Sequence, residues 1–220
     1  MSYYDPNDPH AGQPVLEKGE PLEKAKAAVI LMHGRGASAE SILSLESAIN
    51  IPDVAWLAPQ AATNAWYPYT FLSPVDQNEP GYSSSLLKMK ELIDRVAEAG
   101  IPHERIILAG FSQGACLASE FAGRFPSRFG GVVVLSGGLI GDTVEKERYQ
   151  GDLKGTPVFI GCSDIDAHIP VERVHETAEI LDQLNGNVTK KIYPGMGHIV
   201  NEEELEFFER MLRSIVESER

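Results

Sequence analysis

The chain has 220 residues, 43% hydrophobic and 23% charged, and its 32 acidic against 19 basic side chains give a formal net charge of −13. That length suits one domain with a single sizeable core. The negative charge repels phosphate backbones and anionic membrane surfaces, which argues against a nucleic-acid partner.

No apolar run approaches the length of a bilayer span. The start, MSYYDPNDPHAGQP, lacks the basic and apolar parts of a secretory leader. A cytoplasmic location without stable membrane insertion is therefore expected. Cys116 and Cys162 match no metal or redox spacing and read as two buried thiols.

In chain order, residues 1–26 read as an N-terminal extension and edge segment, and 27–220 as the main domain. KAAVILMHG predicts the first strong strand. Ile42, Leu45 and Ile49 recur at helical spacing within a helix expected from about Ala39 to Asn50. VAWLAP is the next strand. Residues 60–81 follow without periodicity, and a connection that long usually has a task. YSSSLLKMKELIDRVAEAG repeats Leu86, Met89, Ile93, Val96 and Ala97 on one helical face and stops at Gly100.

RIILAGFS then reads as a strand and QGACLASEFAGRF as a helix, with Ala118, Phe121, Ala122 and Phe125 turned to the sheet. GGVVVLSGG, TPVFIGCSD and VTKKIYPG add three strands. PVERVHETAEILDQLNG, opened by Pro170, and the helix after Asn201 complete the chain; Asn201 is its expected cap, with Glu202, Glu203 and Glu204 against its positive end. Doubly apolar strands alternating with amphipathic helices indicate an α/β fold, a mostly parallel sheet covered on both faces.

The junction between RIILAG and the following helix places Ser112 between Gly110 and Gly114. Glycine at both positions removes the Cβ atoms that would collide where strand and helix pack closely about a sharp turn. A serine presented there, at the carboxyl end of a central strand, faces the crevice of an open sheet and the free N–H groups of a helix start.

Serine needs an oriented base to act as a nucleophile. His198 follows the last strand in a glycine-containing loop. Asp164 and Asp166 follow the fifth, in the chain order Ser, Asp, His. Asp166, farther into the turn, is the expected orienting carboxylate, and Asp164 the brace of that turn. The N–H groups of Arg35 and Gln113 are the expected oxyanion donors, and His33 is expected to hold its loop through a ring hydrogen bond. His33, Asp164, Asp166, His168 and His198 show no compact metal-ligand spacing.

LMHGRGAS, LAPQ, GFSQG, LSGG, DAHIP and GMGHIV, in that order from about Ala27 onward, resemble the phospholipase/carboxylesterase family. The resemblance implies an α/β-hydrolase fold, with Ser112 as nucleophile, His198 as base and Asp166 as its orienter. It implies hydrolysis of carboxylic or acyl esters, with no metal or organic cofactor required, and the negative net charge favours small neutral substrates. Thioesterase or lysophospholipase action stays open, as does an inactive binding protein on the same fold.

The chain departs from the family at Ser38 and Ala167, near which members commonly carry an aspartate and a proline. Its N-terminal region is also short for a full pair of extra strands. Trp66, Tyr67, Tyr69, Phe71 and Leu72 read either as an acyl-binding wall or lid or as a packed aromatic loop; Met196 lines the same pocket or fills a gap. Relatives are often dimeric, which leaves a homodimer open.

Overall fold

In the computed structural model, residues 7–218 are described. The first six residues of the N-terminal extension and the last two of the expected C-terminal helix lie outside them. Strand β2, Ala27–Met32, is buried on both faces. Ala28, Ile30 and Met32 point into one core, and Ala27, Val29 and Leu31 into another. Such a strand is satisfied only inside a sheet covered on both sides. Strands β1 (Val15–Gly19), β3 (Val54–Pro59), β4 (Ile106–Phe111), β5 (Gly131–Leu135), β6 (Pro157–Ser163) and β7 (Asn187–Tyr193) complete it.

The order is β1-β3-β2-β4-β5-β6-β7. Every neighbouring pair is parallel except β1 with β3. The predicted strands are therefore present, joined by one antiparallel edge strand that periodicity had not marked. Helices α1 (Ala39–Ile42), α2 (Ser44–Ile49) and α6 (Glu202–Glu217) cover one face, and α3 (Gly81–Glu98), α4 (Gln113–Arg124) and α5 (Val171–Gln183) the other. The chain runs from β2 outward to β3, then crosses back to β4 on the far side of β2, so a crevice opens at the carboxyl ends of β2 and β4.

Two local expectations are corrected. The helix over 39–50 is two short helices meeting at Leu43. Ser41 and Ser44 turn their hydroxyls back to the carbonyls of Ser38 and Ser41, bonding that competes with a continuous helix. Ser38 itself caps α1, accepting the Ser41 N–H at 3.2 Å. Phe125 does not face the sheet: α4 ends at Arg124 and the Phe125 ring is half exposed.

The tightest packing lies at the β4–α4 junction. A Cβ on Gly110 would meet the carbonyl carbon of Gly114 at 2.3 Å, and one on Gly114 would meet the Met32 carbonyl oxygen at 2.1 Å. Between them Ser112 adopts φ 56° and ψ −120°, a conformation that costs a non-glycine residue on the order of 1–3 kcal/mol. Its N–H donates to Leu135 O at 3.0 Å, and its carbonyl accepts from Cys116 N–H at 3.0 Å, so the bend is held from both sides.

Gly114→Ala is expected to lose about 3 kcal/mol or more, because the clash is with main chain rather than a movable side chain. Gly36→Ala, at φ 75° with nothing within 4 Å of the added atom, is expected to lose only about 1 kcal/mol. Urea unfolding of the two variants checks that ranking.

Candidate active site

The bend at 112, the turn after β6 and the loop after β7 all rise from the same sheet edge. There the Asp166 carboxylate Oδ2 accepts from His198 Nδ1–H at 2.6 Å, and His198 Nε2 faces Ser112 Oγ at 2.8 Å. With Nδ1 donating, Nε2 is the acceptor for the serine proton. The second carboxylate oxygen accepts the N–H groups of His168 (2.8 Å) and Ile169 (3.1 Å), so Asp166 is fixed by its own turn. Burial pushes the Asp166 carboxyl up, but the hydrogen bonds from His198, His168 and Ile169 outweigh it and hold the group below its ordinary value.

Asp164 takes a different place. Its Oδ1 accepts the Gly195 N–H at 2.8 Å, tying the β6 turn to the loop that carries His198.

The loop after β2 lies against the bend, with Gly34 facing Ser112 Cβ. His33 is fully buried, donating from Nδ1 to Gly34 O at 2.8 Å and accepting the Ala61 N–H on Nε2 at 3.1 Å. Both ring nitrogens are thus occupied, and burial, partly opposed by the Gly34 bond, keeps the ring below its ordinary pKa. Among the described residues, the main-chain N–H groups of Arg35 and Gln113 donate to no acceptor.

The side chains of Arg35 and Gln113 have work that the sequence did not reveal. Arg35 donates from Nη1 to Pro68 O (2.8 Å) and from Nη2 to Tyr67 O (2.9 Å) and Tyr69 O. Gln113 accepts the Trp66 N–H at 2.9 Å and donates to Tyr67 O at 3.0 Å. Asn78 accepts the Tyr69 N–H and donates to Thr70 O, both at 2.9 Å. The aperiodic 60–81 stretch is therefore pinned along its backbone and forms a wall. Bonded to neutral carbonyls, the Arg35 guanidinium keeps its positive charge, and the residue also lines the cavity beside Ser112.

A cavity of about 340 Å³ opens beside Ser112 and His198. Tyr67 and Phe71 line it, as do Thr70, Phe111, Cys116, His168 and Ile169, which the sequence had not marked for the pocket. Phe111 and Cys116 flank the serine one residue before and one helical turn after, the signal that would have found them.

Trp66, Leu72 and Met196 are not in that lining. Trp66 is fully buried, its indole N–H donating to His33 O at 2.9 Å and its ring between His10 and His33. Leu72 packs against the core, the sulfur of Met196 lies 2.9 Å from Asn201 Nδ2, and Tyr69 is exposed. Burial pushes the Cys116 thiol up to about 12, so it presents a neutral S–H to the cavity floor.

A mostly parallel sheet bearing a serine on a strand-to-helix bend, with a histidine and a carboxylate on later strand ends, defines an α/β-hydrolase. Residues 15–216 match the phospholipase/carboxylesterase family, and the chain belongs to it. It is similar to acyl-protein thioesterase 1 of Candida albicans, with 31% identity over 88% of this chain and 94% of that protein. Among solved structures, the phospholipase/carboxylesterase from Dyadobacter fermentans superposes with a TM-score of 0.88 at 40% identity, over 91% of this chain and 96% of that one. The Bacillus cereus carboxylesterase shares the fold at a TM-score of 0.74 and 19% identity, over 93% and 95% of the two chains. The family is one of hydrolases, and this chain is an enzyme of that class. Among the described residues no helix is long and apolar enough to cross a membrane.

The His198 loop rests on a reciprocal cap. Asn201 Oδ1 accepts the Glu204 N–H at 3.0 Å and Glu204 Oε2 accepts the Asn201 N–H at 2.9 Å. Glu204 is fully buried, with its Oε1 against Gly161 of β6 and without a partner among the described residues.

Burial, with a smaller push from Glu203 and against the pull of the Asn201 bond, raises the Glu204 carboxyl from 4.5 to about 7. Between those values the folded protein holds a proton that the unfolded chain has released, so stability from this group falls as pH rises through the window. Glu204→Gln keeps the cap acceptor and removes the charge. Its melting temperature relative to wild type is expected to climb from pH 4.5 to 7 and then level off.

Proposed function

We propose that this enzyme is a serine carboxylesterase that works through an acyl-enzyme on Ser112. The observation that carries this is the unbroken hydrogen-bond relay from Asp166 through His198 to Ser112, at 2.6 and 2.8 Å. In this mechanism Ser112 Oγ attacks the substrate carbonyl while His198 Nε2 takes its proton, and Asp166 holds the tautomer and stabilises the imidazolium. The oxyanion is received by the main-chain N–H groups of Arg35 and Gln113, a contribution of about 3 kcal/mol per donor in chemistry of this kind.

His198 then protonates the leaving oxygen, and the same residue activates water to free the acid and regenerate the serine. The acyl group of a small neutral ester occupies the cavity against Tyr67, Phe71 and Cys116. The route draws on the chain's own groups and on no metal or organic cofactor. A thioester would be cleaved by the same steps, a reading supported by the likeness to a protein named acyl-protein thioesterase 1. Rates on matched ester and thioester substrates separate the two.

Ser112→Ala and His198→Ala are each expected to lower kcat on p-nitrophenyl butanoate by more than about a thousandfold with the fold retained. Asp166→Asn is expected to lose on the order of a thousandfold and Asp164→Asn about tenfold or less, since the latter braces a turn without touching the imidazole. A reversed order of the two aspartates, or a fluorophosphonate probe that spares Ser112, would overturn the mechanism.

A further inference from the structure

His198 has two rings close to it. Phe111 stands 4.8 Å from it, and His168 stands 4.9 Å away at an interplanar angle of 64°. The backbone at His168 is held in place, because its N–H donates to the Asp166 carboxylate that also accepts the His198 Nδ1–H hydrogen bond. Its imidazole is exposed and lines the cavity together with Ser112 and His198. Among the described residues no hydrogen bond uses its ring nitrogens.

The cavity lining is partly buried and partly exposed. Tyr67 and Cys116 are among its buried members, which suits the part they line to the acyl half of a substrate. A leaving atom protonated by His198 must sit within about 3 Å of Nε2. Whatever that atom carries then lies beside His198, where the exposed His168 ring stands 4.9 Å away.

On the proposed esterase mechanism, we infer that His168 is a leaving-group specificity residue, whose ring N–H donates to an oxygen two or three atoms beyond the leaving oxygen or sulfur. The substrate class is accordingly esters or thioesters of alcohols or thiols that bear an ether, hydroxyl or carbonyl oxygen at that distance, in preference to plain alkyl esters.

The test compares kcat/KM for 2-methoxyethyl butanoate and n-butyl butanoate, which differ by one oxygen in place of a methylene. The expected ratio of the two falls about fivefold in His168→Phe, the worth of one ordinary hydrogen bond. It stays within about twofold of wild type in His168→Gln, which retains a donor. An unchanged ratio in His168→Phe, or an equal fall in both variants, would overturn the inference. Fluorophosphonate labelling of the same preparations separates the two levels: labelled Ser112 with an unchanged ratio sinks only the role of His168, and unlabelled wild type sinks the esterase mechanism beneath it.

Discussion

Where α4 leaves β4, helix main chain passes so close to the end of β2 that Gly114 has room for a hydrogen and for nothing larger beside the Met32 carbonyl. The rest of the site depends on this approach. It brings the bend at Ser112 up to the loop at His33 and Gly34, so that amides from two separate connections stand beside one hydroxyl. It also forces Ser112 into a positive φ that the chain would otherwise avoid, with the surrounding hydrogen bonds and the buried flanks of β4 and α4 offsetting the strain. Strand pairing fixes β4 between β2 and β5, and the parallel register carries the same edge outward to the turns after β6 and β7. Placement of the histidine and the carboxylate is thus a property of the sheet, refined by Asp164 holding Gly195 and by the Asn201–Glu204 cap.

Much of this was legible in the residues. Fully apolar strands such as AAVILM and VAWLAP and the glycine spacing about Ser112 encode geometry directly, because each is a steric requirement of one short segment. That Asp164 and Asp166 would take different places was also legible, from which lies farther into the turn: one bonds the Gly195 N–H and the other the His198 ring. Features that depend on partners far along the chain were not. Val15–Gly19 is a strand because β3 offers an open edge, and alternation over five mostly exposed residues carries little signal. The split of the expected 39–50 helix is local instead, and was missed because apolar spacing does not register serine hydroxyls returning to carbonyls three residues back.

The pocket divided in the same way. Tyr67 and Phe71 reach the cavity, whereas Trp66, one residue away, turns into the core between two buried histidines. Aromatic composition could identify the stretch as a unit without saying which rings face a substrate. The side-chain tasks of Arg35 and Gln113 were hidden for a related reason: their side chains bind a segment more than thirty residues distant, which no local pattern announces.

That division of labour has an evolutionary consequence. Arg35, Gln113 and Asn78 grip the wall through its peptide groups, indifferent to which amino acids those peptides connect. Exposed Tyr69 can therefore be exchanged without loosening the clasp, whereas Tyr67 and Phe71, which are packed into the core as well as lining the cavity, couple any change in the pocket to the stability of the fold.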